Sequence, residues 1–430
     1  MTGRRLDSTH PVSEYDMAAS ARLVACHDCG TVHALAPLQP ATAARCIRCD
    51  SVMRRSTRDP LDKMLALSIA SAVLYGVALF APLMALRVGG NVRDANLLTG
   101  IRQLWDDGMG LLAALVLLTS VIAPGIRVAA MLAVSIGVRL PRPPPGLPSV
   151  FRFGRKLAPW AMVEVYMLGV GVAYVKLVDL ATIQIGAALW ALMALMAAMA
   201  WTDAALDPDE IWDTMERRGL VPRVPPPTGE TLVACHDCGL VCDAHAAHHR
   251  CPRCGAGLHR RKPDSLNRAA ALCAAGAVLY IPANAYPVMT VISLGRGEPD
   301  TILSGVVELA HAGMWPLALL VFVASITVPV LKLVGMTWLL WTTWNGSPRS
   351  LRRRTQVYRV IEFVGRWSMV DVFMIAILVA LVRLGALATI EPGVGAVAFA
   401  GVVVLTMIAA SSFDPRLMWD AVDDRGLRRA

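Results

Sequence analysis

The chain has 430 residues, of which 56% are hydrophobic and only 17% charged, and its mean hydropathy is +0.53. A soluble globular domain carries about 25% charged residues, so this chain has too little polar surface to cover its apolar content in water. That excludes a disordered chain, a collagen and a coiled coil, and leaves a polytopic membrane protein. Lys and Arg number 41 against 32 Asp and Glu, a formal charge of +9; in a membrane protein this reports loops held on one side rather than a nucleic-acid partner.

The N-terminus is polar, and its first apolar run starts only at residue 64, which predicts no cleavable signal peptide. Before that run, in a predicted module over 20–60, Cys26-x2-Cys29 is followed after 16 residues by Cys46-x2-Cys49. Paired C-x2-C knuckles at this spacing make a tetrahedral four-thiolate site, a zinc ribbon, with rubredoxin-type iron as the rival metal. A first membrane unit is predicted over 61–220. Residues 64–86 form 23 positions without a charge, and about 20 apolar residues cross a bilayer as a helix. Further spans are predicted at 109–138, 158–175 and 180–202; Arg127 interrupts the second and the third carries Glu164. Pro124 predicts a kink in the second span. PRPPPGLP at 141–148, and Pro222 with Pro225–Pro227 after the unit, read as stiff spacers.

A second module is predicted over 228–264, with Cys235-x2-Cys238 followed after 12 residues by Cys251-x2-Cys254. A four-cysteine site has no open position for water, so both sites are expected to be structural. Gly30, Gly239 and Gly255 suit the tight turns behind the pairs. His27, His236 and Cys242 are read as neighbours of filled shells, and Cys273 as a core residue. The second membrane unit, 265–425, has predicted spans at 269–293, 312–344, 367–390 and 392–413. The fifth span carries Asn284 and Tyr286, where the first unit has Leu79 and Ala81. The sixth carries Ser325, Thr327, Pro329 and Lys332, and the seventh Asp371 and Arg383. The runs are continuous rather than alternating, which excludes a β-barrel.

The two halves are copies. LVACHDCG at 23–30 recurs at 232–239, Pro124 answers Pro329, Arg127 answers Lys332, and Trp160–Val165 answers Trp367–Val372. Four spans per unit is an even number, so the repeats are parallel, related by an axis along the membrane normal. A cytoplasmic N-terminus places 33 of the 41 Lys and Arg on that side, with both cysteine modules and the C-terminus. In that reducing compartment the thiols are expected to hold metal rather than disulfides.

Charges at bilayer depth cost about 2.5–3.5 kcal/mol each and point to function. Arg127 and Glu164 are expected at similar depth, as are Lys332 and Asp371, either as an ion pair in each unit or as separate groups reaching the interface. The kink at Pro329, beside Ser325, Thr327 and Lys332, is a candidate head-group or anion site. The second unit, richer in polar groups, is expected to hold the substrate path. The chain has no G-x-x-x-x-G-K-[ST], H-E-x-x-H or G-x-S-x-G motif.

Two four-cysteine ribbons, each followed by four spans, with Ala285-Tyr286-Pro287 and the W-[SA]-M-V-[DE]-V motifs at Trp160–Val165 and Trp367–Val372, resemble the paraquat-inducible protein A family over about residues 20 to 425. The first unit departs from the pattern with Phe80-Ala81-Pro82. The resemblance implies an inner-membrane protein of Gram-negative bacteria. It implies work with a periplasmic MCE-domain (mammalian cell entry) partner that forms a tunnel, moving lipids between the two membranes and protecting the envelope. The resulting expectation is an all-α polytopic membrane protein of two parallel four-helix repeats, each preceded by a rubredoxin-like zinc ribbon. It would be no enzyme and would hold two zinc ions. Phospholipid would pass with Lys332 near its phosphate, and Asp371 and Glu164 are candidates for proton coupling. The rivals are a redox protein using four-cysteine iron sites and a scaffold whose ribbons bind a cytoplasmic partner.

Overall fold

The computed structural model describes residues 22–420 apart from 40, 58, 89–90, 179–181, 228, 230, 244–248, 294–295, 312 and 383–387. Arg383 therefore lies outside the described residues. Eight helices are long and apolar enough to cross a bilayer: Pro60–Phe80, Gly110–Gly137, Leu147–Lys176, Ala187–Ala205, Ser265–Ala285, Trp315–Trp344, Leu351–Leu381 and Val394–Ser412. They are spans one to eight. The two cysteine modules lie at one end of the bundle, where residues of both line a single cavity. Parallel repeats require that arrangement.

Several predicted spans overran. Four of the apolar runs include a β-strand: Met84–Val88, Thr182–Ile185, Met289–Ser293 and Ala388–Pro392. At the end opposite the ribbons these build one three-stranded antiparallel sheet per unit. Met84–Val88 is flanked by Asn91–Ala95 and Thr182–Ile185, and Met289–Ser293 by Arg296–Asp300 and Ala388–Pro392. An apolar run alone does not distinguish a buried strand from the end of a helix. Glycine marks the boundary. Gly186 N–H donates to Leu83 O (3.0 Å) and Gly393 N–H to Val288 O (2.8 Å). A Cβ there would sit 2.1 Å from Pro82 O or 2.2 Å from Pro287 O, so only glycine lets the strand pass into spans four and eight.

Spans two and six are bent by the same device. Residues Leu118–Ile122 and Val323–Thr327 form a π-turn just before Pro124 and Pro329. Proline has no N–H to give to the preceding turn. One wider turn shifts the ladder, so that Ala123 N–H reaches Leu118 O and Val328 N–H reaches Val323 O. The third membrane crossing of each unit is entered through a helix on the ribbon side, Leu147–Leu157 or Leu351–Gly365, followed by a short 3-10 turn.

The repeats do not pack equivalently. Every residue of Val370–Leu381 in span seven is buried, while span three is only half covered. Span seven packs on span three, with the Tyr166 and Phe373 rings edge to face at 5.4 Å. It also takes the sheet-side helix Leu97–Asp106, whose Gly100 lies against Ala376 O. The counterpart helix, Ile302–His311, packs chiefly along span six.

Each ribbon sits on the other repeat. The first cysteine quartet packs with Met336, Phe413 and Trp419 of the second unit; the second packs with Met64, Phe151 and Trp212 of the first. Some of the polar contacts repeat the exchange, while Arg22 and Arg54 of the first ribbon also pair with Asp209 and Asp213 of its own unit. Asp28 accepts from Arg359 Nε at 2.6 Å, and Asp237 pairs with Lys156 at 3.1 Å and Arg152 at 4.0 Å. Arg359 donates to Cys49 O and Arg152 to Cys254 O. Arg48 stacks over Trp419 (4.7 Å) and Arg253 over Trp212 (5.6 Å). The chain turns sharply from ribbon to membrane at Asp59 and Asp264, both left-handed (φ 49° and 50°), a conformation Asp tolerates better than most residues.

The exchange has a direct test. In a double-mutant cycle read by thermal unfolding of the detergent-solubilised chain, Asp28→Ala and Arg359→Ala should couple by about 0.5–3 kcal/mol. Asp28→Ala and Arg152→Ala should be additive. The opposite pattern would mean that each ribbon sits on its own repeat.

Candidate metal centres and a polar gap between the repeats

Each ribbon is two hairpin knuckles. Arg22–Ala25 pairs with Val32–Leu35, Ala43–Arg45 with Val52–Arg55, and Leu232–Ala234 with Val241–Asp243. At every knuckle the first cysteine's carbonyl accepts from the residue after the second cysteine: Gly30, Asp50, Gly239 and Gly255, at 2.8–3.0 Å. All four have positive φ, between 60° and 77°. That closes each C-x2-C loop so both sulfurs point to one side. In the first ribbon Cys26 and Cys49 Sγ are 3.4 Å apart, and Cys29 and Cys46 Sγ 3.6 Å. In the second, Cys235–Cys254 is 3.6 Å and Cys238–Cys251 is 3.5 Å. A tetrahedral ion with bonds of about 2.3 Å holds its sulfurs about 3.8 Å apart, whereas a disulfide is about 2.0 Å. The eight buried thiols therefore fit two tetrahedral metal ions.

Cys242 stays out of the quartet and donates to Val233 O. His33, which sequence reasoning passed over, brings Nε2 to 3.3 Å from Cys46 Sγ. His236 meets the Arg416 guanidinium. Burial, then the positive charge of Arg416, lowers the imidazole to about 4, so the neutral ring accepts the hydrogen bond. Asp414 clamps Arg416 (2.9 Å) and the Lys262 backbone N–H (3.0 Å), tying the second ribbon's exit to the end of span eight. Burial raises the Asp414 carboxyl, but its hydrogen bonds and charge contact with Arg416 outweigh that and hold it at about 2.

Within the bundle the expected ion pairs do not form. Arg127 pairs with Asp203 at the end of span four, not with Glu164, which is half-buried. Lys332 donates to Gly365 O at 3.4 Å and has no carboxylate within ion-pair distance among the described residues. Asp371 is buried elsewhere, beside Ser325. The physical reason is rotation. Similar depth does not put two side chains on facing sides of their helices, and the π-turns reset the facing side. Asp203 was missed because it stands one residue past the predicted span.

The π-turns differ in how they are filled. In the first unit Tyr75 OH donates to Val121 O (2.8 Å), reaching over Gly125, where a Cβ would lie 2.7 Å from the Tyr75 hydroxyl oxygen. Thr119 and Ser120 hydroxyls close on Leu115 O and Val116 O. In the second unit Val330 stands in place of Gly125, and Tyr280 makes no equivalent bond among the described residues. Ser325 Oγ, Ser368 Oγ and Asp371 Oδ2 are buried with no hydrogen-bond partner. Thr327 is half-buried and Pro329 buried in the same span. Asn284 and Tyr286 are not part of this gap. They lie at the sheet end of span five, where Asn284 bonds back to Tyr280 O and Tyr286 is exposed.

Residues 61–216 and 266–423 each match the family model described as Paraquat-inducible protein A. The chain is 33% identical over 414 residues to the Intermembrane transport protein PqiA of Escherichia coli, covering 93% of this chain and 96% of that one. It is 31% identical over 403 residues to the Lipophilic envelope-spanning tunnel protein A of the same organism, covering 94% and 92%. A Probable intermembrane transport protein of Haemophilus influenzae is 27% identical over 413 residues, covering 94% and 97%. No solved structure matches the chain.

Metal analysis of the purified chain should return two ions, and Cys26→Ser or Cys235→Ser should each return one; unchanged content in either variant would refute its ribbon as a site. Asp414 carries a pH signature. Its folded value lies below the unfolded one, so its contribution of about 2 kcal/mol is present above about pH 4 and disappears as pH falls through about 2. The difference in unfolding midpoint between the wild-type chain and Asp414→Asn should therefore shrink over that window. A difference that stays constant with pH would mean the carboxylate charge is not what stabilises.

Proposed function

The chain belongs to the paraquat-inducible protein A family, and from that premise we propose that it is the inner-membrane component of an intermembrane lipid transport system. It passes phospholipid to or from a periplasmic MCE-domain partner and contributes to envelope integrity. The names of its relatives support transport rather than catalysis. The concentration of Lys and Arg on the ribbon side supports cytoplasmic ribbons and termini. Zinc is the ion that suits a closed four-thiolate site in a reducing compartment.

The observation that carries the reading is the polar gap of the second unit. In hydrocarbon an unsatisfied polar group costs several kcal/mol. Three such groups, Ser325, Ser368 and Asp371, are gathered where the π-turn of span six meets the 3-10 turn of span seven and the residues just after it. The same place in the first unit is closed by Tyr75, Thr119 and Ser120. A cost of this kind is retained where something polar passes. In this reading the gap opens a route along span six, past Thr327 and Pro329, for a headgroup that meets Lys332. Asn284 and Tyr286 flank its sheet-side end. Asp371, with no cation within ion-pair distance among the described residues, takes up and releases the coupling proton. Glu164 holds the corresponding position in the first unit, where Arg127 is already neutralised.

The test is phospholipid transfer by the full chain reconstituted with its MCE-domain partner. Asp371→Asn should reduce transfer to the vesicle background, while Asp371→Glu should retain most of it. Wild-type rates in Asp371→Asn, or no transfer by the wild-type pair, would defeat the reading.

A further inference from the structure

The duplication supplies an internal control for one buried charge. Arg127 and Lys332 occupy the same place in the two repeats, each one residue short of a turn past its proline. Both line one cavity of about 370 Å³, together with Asp203, Gly365, Glu362 and Arg366. In the first unit the Asp203 carboxylate neutralises Arg127. The second-unit position equivalent to Asp203 is Ala410, which lines the same cavity and offers only a methyl group. Lys332 is 2% exposed. Among the described residues its one hydrogen bond, to Gly365 O, is long at 3.4 Å. Gly365 leaves room for the ammonium: a Cβ there would sit 3.2 Å from Lys332 Nζ. Glu362 shares the cavity but is not within ion-pair distance of Lys332 among the described residues.

An ammonium buried without an anion is strongly unfavourable. The first unit supplies its anion from span four, and the second has the cation with Ala410 in the anion's place. We infer that Lys332 binds a phosphate-type anion in this inter-repeat cavity, in the position that the Asp203 carboxylate takes against Arg127. Arg366, from the 3-10 turn within span seven, lines the same cavity and offers a planar donor set suited to a second phosphate oxygen. Phe363 is exposed at the cavity edge and gives an acyl chain an apolar surface. Either a lipid headgroup or free phosphate supplies the anion; the lipid source rests on the transport reading above.

The experiment is native mass spectrometry of the full-length chain released from nanodiscs. It is run with phosphatidylglycerol, with diacylglycerol, and with inorganic phosphate alone. The wild-type chain should retain phosphatidylglycerol but not diacylglycerol. Ala410→Asp, which rebuilds the first unit's ion pair, should reduce retention about tenfold or more, as should Lys332→Met, while Lys332→Arg should retain it. Retention of inorganic phosphate alone, lost in the same two variants, would assign the site to free phosphate and keep the shared chemistry. Equal retention of diacylglycerol, or unchanged retention in Lys332→Met, would overturn the site. If Ala410→Asp loses its metal and does not fold, Lys332→Met decides. Normal lipid transfer with unchanged retention in the variants removes this site and leaves the transport reading. Retention that depends on Lys332 with no wild-type transfer does the reverse.

Discussion

At bilayer depth every backbone donor and acceptor must be satisfied inside the protein, and a proline in each half of this chain breaks that condition. Pro124 and Pro329 each remove an N–H from the middle of a membrane helix, and both repeats answer with a π-turn. The turn repairs the ladder but leaves nearby carbonyls and hydroxyls to be matched. In the first repeat Tyr75 slides over Gly125 and closes the gap. In the second, Val330 replaces that glycine, and the gap stays polar and unpaired. The two bends thus differ in whether their buried polar groups are paired.

The second constraint is the reciprocal seating of the ribbons. Each quartet of cysteines is carried by one repeat and packed on the other, with matching Asp–Arg, Arg–carbonyl and Arg–Trp contacts. Such an arrangement fastens the repeats together at one end. A metal-dependent module of about 35 residues has little core of its own and depends on its ion to fold. Here an ion held by the quartet would also order the surface on which the other repeat's helices rest. Toward the sheet end the halves meet through Val370–Leu381, buried throughout, and its neighbours.

Much of this was legible without coordinates. The spacing of Cys26, Cys29, Cys46 and Cys49, repeated at Cys235 to Cys254, carries the knuckle geometry, because two residues between cysteines leave one tight way to turn. The glycines at three knuckles announce positive φ; Asp50 at the fourth does the same job less visibly. The number and order of the spans followed from apolar runs, though not their ends. The errors have physical causes too. Strands such as Thr182–Ile185 are as apolar as the spans they precede, so composition merged them. The Arg127–Glu164 and Lys332–Asp371 pairs were argued from depth alone, and a helix wheel disturbed by a π-turn no longer reports direction. Ala410 was visible as the counterpart of Asp203, but nothing marked the pair until Arg127 was seen to choose Asp203.

The amino-acid sequence determined on its own the class, the two-fold repetition, the eight spans and the two sulfur quartets. These depend on hydrophobic transfer and on local chain geometry, which act over a few residues or one helix. Only the tertiary structure decided which ribbon lies on which repeat, which carboxylate neutralises which cation, and which π-turn is left open. Those outcomes depend on side-chain direction and on contacts between residues from 33 to 331 positions apart, where two homologous repeats offer the chain alternative partners and packing selects between them.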